Sequence, residues 1–438
     1  MAVKEARWRD ALAVYAHPRV AAMLFLGFSA GLPLLLVLGT LSFWLSEAGV
    51  ARATIGHLSW VGLAYGTKFA WAPLVDRLRL PWLTAHLGRR RAWLLLAQGT
   101  IVLGLVGMAH ADPARELSHT VFFALLVAFA SATQDIAVDA WRIEAVEVTR
   151  QGAMAAAYQV GYRVAMITAG AGALWIAALF DPSEATYDFR PWQVAYTVMA
   201  ALMGVGILTT LLIPEPEGVA TPPPVAKLGV KAWLFESFVQ PFLELFQRLR
   251  WQAALILALI AFYRISDVVL GVMSNPFYQE MGFTKDEVAS VSKVYGVIMT
   301  LVGAGLGGLL VVRLGLMRTL FLGALASAAS NLLFVWLYGR GHDVGALVFT
   351  VSADNLSAGI ASSGFVAYLS GLVNQAYSAT QYALFTSVML LLPKALAGLS
   401  GDVVDAFGWA AFFTGTAALG VPVLLLVWLA ARMEKRHA

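Results

Sequence analysis

Ser131-Ala-Thr-Gln-Asp-Ile-Ala-Val-Asp-Ala-Trp-Arg142 lies inside an apolar run long enough to cross a bilayer. At 3.6 residues per turn, Ser131, Asp135, Asp139 and Arg142 fall on one stripe of a helix, with Gln134 to its side. A charged side chain at the centre of an isolated spanning helix costs about 2.5–3.5 kcal/mol. This chain carries eleven ionisable groups in such stretches: Lys68, Asp135, Asp139, Arg142, Glu144, Arg163, Arg264, Asp267, Lys293, Asp354 and Lys394. They are tolerated only where they face one another or water in an interior cavity. The pattern describes a polar route through a membrane, and a transporter is the expectation.

Composition agrees. Of 438 residues, 60% are hydrophobic and 13% charged, where a soluble domain carries about 25% charged residues. The apolar runs divide into twelve predicted spans near 20–46, 54–76, 91–110, 119–147, 153–180, 192–213, 251–279, 286–312, 316–338, 344–373, 379–401 and 407–431. The first is too long for a signal-peptide core and is read as a retained helix. The loops are too short to build an enzyme domain, so no enzymatic activity is expected. The chain has no Cys, and its seven His are scattered without metal-ligand spacing; no metal or cofactor is expected. A net charge of +4 does not suggest nucleic acid. Nineteen Lys and Arg fall in the loops and termini on one side, against Arg52, Arg115, Arg190, Lys285 and Arg340 on the other. The positive-inside rule then places both termini in the cytoplasm.

The longest loop sits halfway along. It opens with Pro214-Glu215-Pro216-Glu217 and Pro222-Pro223-Pro224, a stiff spacer, and continues into a segment from Lys227 to Arg250. There Trp233, Leu234, Phe238, Phe242, Leu245 and Leu249 share one helical face, which is expected to lie along the cytoplasmic membrane surface. Residues on either side echo each other. Asp188, Trp192, Tyr196 and Thr197 recur as Asp405, Trp409, Phe413 and Thr414, each pair offset by 217. The division is therefore a six-helix bundle over 1–213, a linker over 214–250, and a second bundle over 251–438. This all-α membrane architecture resembles the major facilitator fold, in which the binding cavity lies between the halves.

Asp76-Arg77 and Gly88-Arg89-Arg90-Arg91 resemble the signature between spans two and three of that superfamily, with a wider separation over Leu78 to Leu87. A carboxylate at a helix end with neighbouring guanidiniums can lock the cytoplasmic side by charged hydrogen bonds. Asp76, Arg77, Arg89 and Arg90 are the expected gate; positive-inside topology alone is the simpler reading of the same charges. Asp135 and Asp139 repel when both are ionised, so the pair favours holding a proton, and they are the expected proton-coupling groups together with Asp267. A static ion-pair ladder is the alternative. Glu144 reads as an interfacial anchor. Lys68, Arg163, Arg264 and Lys293 are expected to meet substrate carboxylates. Gln134, Asn355 and Gln381 suit hydroxyl and amide groups, and Tyr65 and Tyr162 suit sugar faces.

Several strings are more specific: Ser29-Ala-Gly-Leu-Pro33, Lys68-Phe-Ala-Trp-Ala-Pro-Leu-Val-Asp-Arg77, Gly88-Arg-Arg-Arg-Ala-Trp93, Ser131 to Trp141, Gly161-Tyr-Arg163 and Ser378-Ala-Thr-Gln-Tyr-Ala-Leu384. Together they resemble the AmpG muropeptide permease family, from about residue 17 to 430. The resemblance implies proton-driven import of anhydro-muropeptides across a Gram-negative inner membrane. It also implies a role in peptidoglycan recycling and β-lactamase induction, and hence antibiotic resistance. Partners would be the sugar–peptide cargo, protons and membrane lipid, with the chain acting as a monomer. The wider clan also resembles acetyl-CoA transporters, and a non-transporting muropeptide sensor is a further alternative. Topology is directly testable. Reporter fusions after Arg436 and near Thr221 should be active only as cytoplasmic markers; a periplasmic signal from either would reverse the orientation.

Overall fold

In a computed structural model of the chain, residues 13–50, 54, 58–181, 187–216, 230–283, 285–397 and 399–437 are described, and they are almost wholly helical. The side chains of some further residues, including Lys293 and Lys394, lie outside the description. Among the described residues, ten helical stretches are long and apolar enough to cross a membrane. They are Pro18–Glu47, Arg89–His110, Pro113–Ala145, Val148–Leu179, Phe189–Leu212, Gln252–Tyr278, Ser290–Leu314, Leu316–Arg340, Val344–Leu372 and Ser400–Met433. They correspond to predicted spans one, three to ten, and twelve. The positions of spans two and eleven are filled by helix of a different character.

Span two was expected to be continuous. Among the described residues it is broken into Ser59–Gly62, Leu63–Thr67, Lys68–Ala70 and Ala72–Arg77, two of them 3₁₀ turns. Gly62 and Gly66 weaken the helix, and Pro73 withholds a backbone donor. Span eleven runs Ser378–Ala397 with Pro393 inside it. The next helix, Ser400–Ala418, is interrupted at Gly408, whose φ of 79° only glycine adopts easily. Span twelve therefore starts at Trp409, two residues later than expected. Boundaries elsewhere follow cap chemistry. Asp112 and Asp343 each accept a hydrogen bond from a backbone N–H in the following turn, from Ala114 and Ala346 respectively, both at 3.0 Å.

The repeat read at offset 217 has a structural meaning. Trp192 and Tyr196 of span six close on Trp44 of span one, with ring centroids 5.6 and 4.8 Å apart. Trp409 and Phe413 of span twelve close in the same way on Phe277 of span seven, at 5.2 and 4.8 Å. Each half of the chain thus ties its last helix to its first by an aromatic clamp. One apolar cluster is drawn from residues between Leu32 and Met203, and another almost entirely from residues between Leu245 and Ala430.

Small residues let helices touch at the backbone, the usual solution where lipid offers no hydrophobic drive between helices. Spans one and five meet through Gly27, Gly31 and Gly161, and spans eight and ten through Gly303 and Gly359. A methyl group on Gly161 would collide with the Leu24 carbonyl, which is backbone and cannot swing away. Gly161→Ala should therefore destabilise the protein by about 1–3 kcal/mol, read as a lower melting temperature in detergent. Gly99→Ala, with nothing within 4 Å of the new carbon, should melt unchanged or higher.

Candidate functional site

The break in span two decides where Lys68 points. The Trp71 indole N–H donates to Thr133 Oγ1 at 3.1 Å and pins the broken segment to span four. Lys68 Nζ then sits 4.0 Å from Asp135 Oδ2 and 3.9 Å from Asp139 Oδ2, one ammonium shared by two carboxylates. Arg142 takes the other side of Asp139 at 3.3 Å. Asp135, Asp139 and Arg142 of the stripe read from the sequence meet here, and Lys68 from span two brings the cluster to two acids and two bases. Arg142 also donates to Gln151 Oε1 at 2.7 Å and to Ser370 Oγ at 2.8 Å, and its guanidinium lies 4.9 Å from the Tyr382 ring centre. Ser370 and Tyr382 belong to the second half of the chain. The charges line a cavity of ≈170 Å³ closed on its far wall by Ser362, Ser363, Val366, Tyr382 and Thr386. Three buried polar atoms near this stripe have no hydrogen-bond partner: Tyr65 Oη, Ser131 Oγ and Asp135 Oδ1.

A second network lies toward the end of the molecule that carries the linker. Asp76 is 1% exposed. Its Oδ1 accepts from Arg90 Nη2 at 2.8 Å and from the Ala379 backbone N–H at 3.2 Å. Its Oδ2 accepts from the Thr380 N–H at 2.8 Å and the Thr380 hydroxyl at 2.7 Å. A carboxylate from span two thus caps the N-terminus of span eleven, where the helix dipole favours negative charge. Arg90, fully buried, donates to Glu144 through Nε and Nη2, the latter at 2.5 Å, and to Ser378 Oγ at 2.7 Å. Ser378 Oγ donates in turn to Glu144 at 2.5 Å. Arg89 donates to the Asp76 carbonyl at 2.8 Å and lies 3.5 Å from Glu144. Glu144 is therefore a buried member of this network, not the interfacial anchor the sequence suggested. Helix-end position alone could not reveal that Arg90 would reach it.

Arg77 leaves the network. It donates to the Glu236 carbonyl at 2.6 Å and lies over the Tyr377 ring, so it binds the linker to the loop between spans ten and eleven. The linker segments Phe235–Val239 and Gln240–Leu249 dock on protein, and Leu245 and Leu249, expected to face the membrane surface, are buried there. Glu244 accepts from Asn374 at 3.0 Å, from Gln381 at 2.6 Å and from Arg248 at 2.8 Å. Burial pushes its carboxyl up, but these three hydrogen bonds outweigh that and hold it below the ordinary carboxylate range. The linker does keep exposed apolar side chains, Leu234, Phe235, Val239, Leu243 and Phe246. Residues 217–229 lie outside the described residues.

Several residues expected at the substrate are engaged elsewhere. Gln134 is fully buried, accepting from Ser29 Oγ at 2.8 Å and donating to the Ser29 carbonyl at 3.0 Å. It joins span four to span one. Gln381 is tied to Glu244 and to the Pro241 carbonyl at 3.0 Å. The two Ser-Ala-Thr-Gln strings therefore share letters and not surroundings. Asn355 accepts from Thr300 at 2.8 Å and bridges spans ten and eight. Arg264 pairs with Asp267 at 3.0 Å, and Asp267 also accepts from Ser327. Asp354 accepts from Ser330 at 3.3 Å in the same region. The Tyr162 ring lies tilted beside Tyr158, centroids 5.7 Å apart. Arg163 meets the Met166 sulfur at 3.8 Å and no carboxylate among the described residues. Lys293 falls in the π-helical segment Ala289–Tyr295, with its side chain outside the description.

Two half-bundles tied by a charged lock over a polar cavity define a class of membrane carrier, and comparison with known proteins agrees. A family model described as Major Facilitator Superfamily matches residues 20–398. Among solved structures, the E. coli fucose:proton symporter FucP aligns with a TM-score of 0.68 at 13% identity, over 96% of this chain and 99% of that one. The human organic anion transporter MFSD10 aligns at 0.61 and 15%, over 96% and 100%. The anhydromuropeptide permease of Escherichia coli K12 is 37% identical over 421 residues, 95% of this chain and 80% of that one. A Rickettsia conorii protein bearing the name AmpG 4 is 32% identical over 414 residues, 94% and 97% respectively. The chain belongs to the major facilitator superfamily and, within it, to the AmpG permease family. It is a multi-pass membrane transporter and not an enzyme.

Removing one partner of a buried ion pair strands the other, at about 3–5 kcal/mol. Asp76→Asn should therefore loosen the linker-side lock. With no native Cys, a single Cys at Ala383, buried where the halves meet, should be labelled at least about tenfold faster in the Asp76→Asn background. An unchanged labelling rate would remove Asp76 from the lock.

Proposed function

We propose that this protein imports anhydro-muropeptides, anhydro-disaccharides with or without peptide, from periplasm to cytoplasm with protons as the driving ion. The supporting observation is the Lys68–Asp135–Asp139–Arg142 cluster on the cavity between the halves. The name of the E. coli relative supports the cargo class. The setting is a Gram-negative inner membrane with both termini and the 214–250 linker cytoplasmic. Residues 1–213 and 251–438 rock against each other as units about the central cavity.

The charge arrangement suggests how coupling works. With both carboxylates ionised, Asp135 and Asp139 together hold the Lys68 ammonium. A proton arriving on either one neutralises it and halves the field that holds Lys68. The ammonium is then available to a carboxylate of the cargo peptide, so proton and anionic cargo load together. Arg142 stays committed to Asp139, Gln151 and Ser370 and keeps the second half in register. Arg163, which has no carboxylate partner among the described residues, is a second cation for the cargo, and Tyr65 and Tyr162 offer ring faces to sugars.

The cavity volume fits an occluded stage of such a cycle. About 170 Å³ is below the roughly 300–1,000 Å³ of pockets that enclose drug-sized ligands, so the halves must part before a disaccharide enters. With the lock closed on the linker side, the parting in this reading falls on the periplasmic side. Asp76, Arg89 and Arg90, with Glu144 and Ser378, then open when the halves rock the other way.

Proteoliposomes loaded with an inward proton gradient test the reading. Wild type should accumulate radiolabelled anhydro-muropeptide. Asp135→Asn and Asp139→Asn cannot release a proton, so they should lose pH-driven accumulation while keeping counterflow exchange. Accumulation at the wild-type level in both variants would move the proton site elsewhere. Transport of an unrelated solute with no muropeptide uptake would overturn the cargo.

A further inference from the structure

A groove of ≈820 Å³ runs between spans one and six, at the end of the bundle that carries the linker. Its walls are apolar: Ala22 and Phe25 on span one, Leu208 and Leu212 on span six. Phe25, Leu208 and Leu212 are exposed, so no protein covers it among the described residues. The groove opens on the perimeter of a membrane protein, where the medium is acyl chain. Its mouth has a different chemistry. His17 and Arg19 stand there at the start of the helix Pro18–Leu36, whose N-terminal dipole adds positive potential.

Arg150 lies close enough to act on the same imidazole, and burial together with the Arg150 and Arg19 cations holds His17 below its ordinary value. Arg19 donates to the Ala145 carbonyl, and neither Arg19 nor Arg150 is paired with a carboxylate among the described residues. Arg19 thus lines an open apolar channel and Arg150 stands within electrostatic reach of its mouth, neither facing a carboxylate among the described residues. Arg presents a planar fork that matches phosphate oxygens. Basic pockets between membrane helices on the cytoplasmic side suit anionic headgroups in this way.

We propose that the groove between spans one and six binds an anionic phospholipid. The acyl chains lie along Ala22, Phe25, Leu208 and Leu212, and the headgroup phosphate meets Arg19, Arg150 and His17. A zwitterionic lipid also carries a phosphate, but its own ammonium cancels the charge that the Arg19 and Arg150 cations select. The occupied site would wedge the first and last helices of the half that carries the Lys68 cluster, and it would neutralise the cations at their cytoplasmic ends.

Native mass spectrometry of the full-length protein, given equal amounts of phosphatidylglycerol and phosphatidylcholine, tests the assignment. The protein should retain phosphatidylglycerol about fivefold over phosphatidylcholine. Arg150→Gln should remove most of that preference. Leu208→Trp, which fills the groove and leaves the charges alone, should lower retention of both lipids; Leu208→Phe is the milder form if the Trp variant folds poorly. Arg19 is left intact because it also caps the Ala145 carbonyl. Equal retention of the two lipids by wild type overturns the proposal, as does retention that neither Arg150→Gln nor the Leu208 variants change. Displacement of the bound lipid by acyl-free glycerol phosphate, as readily as by phosphatidylglycerol, would show an anion site without a lipid groove and overturns it too.

Discussion

The bond on which the rest of the structure depends is the one between the Asp76 carboxylate and the first turn of span eleven. Two backbone N–H groups and one hydroxyl of that turn are satisfied by a side chain from the other half of the chain. A helix start left bare in the middle of a membrane protein would strand orphan donors at several kcal/mol each. The start of span eleven carries no acidic residue of its own within Ser378–Gln381. Its capping is outsourced, which makes helix stability conditional on the two halves being together at this end. Arg90 fixes the Asp76 oxygens in place and is itself neutralised by Glu144, so the lock is a triad of two acids and one base around Ser378. Each member is buried, and none can leave singly without exposing the others.

The lower cluster follows different rules. Lys68 sits near 4 Å from two carboxylates, longer than the 2.7–2.9 Å of a strong charged hydrogen bond. A cation held loosely by two partners is easily released when one of them is neutralised, whereas the Arg90 lock, with contacts down to 2.5 Å, is not. The molecule thus keeps its tight electrostatics at the linker end, among Asp76, Arg90 and Glu144, and its loose electrostatics at the cavity beside Lys68. The broken backbone of span two serves both ends. Its 3₁₀ turn aims Lys68 at span four, and its last helical piece, Ala72–Arg77, delivers Asp76 to span eleven.

Much of this was legible in the sequence, for reasons specific to membranes. A charge in an apolar run is so costly that its presence alone marks an interior face, and the 3.6-residue period then places Asp135, Asp139 and Arg142 on one stripe. The 217-residue offset found the aromatic clamps because Trp and Tyr positions at helix ends are held by packing against one partner, Trp44 or Phe277. The illegible part has a common cause. Gln134, Gln381 and Asn355 look alike in sequence whether they face cargo or a neighbouring helix, and all three prove to be helix–helix ties. Glu144 and Ser378 were invisible as members of the Asp76 network because their partner, Arg90, lies across a long stretch of chain. Ser370, Tyr382 and Gln151 were missed for the same reason: nothing local distinguishes a serine facing Arg142 from one facing its own helix.

The linker shows how the two electrostatic regimes are joined. A segment serving only as a tether would need no hydrogen bonds to the bundles, yet Glu244 accepts three, and Arg77 reaches from span two to the Glu236 carbonyl. Gln381, one residue beyond the Asp76 cap, donates to Glu244 and to the Pro241 carbonyl, so the first turn of span eleven is held by span two on one side and by the linker on the other. Opening the lock therefore requires the linker helix to let go or to travel with span eleven. Leu234, Phe235, Val239, Leu243 and Phe246 stay exposed on the same segment, and a membrane surface would cover them more favourably than water does. The linker is thus a strap that ties span two, the loop between spans ten and eleven, and the first turn of span eleven together at this end.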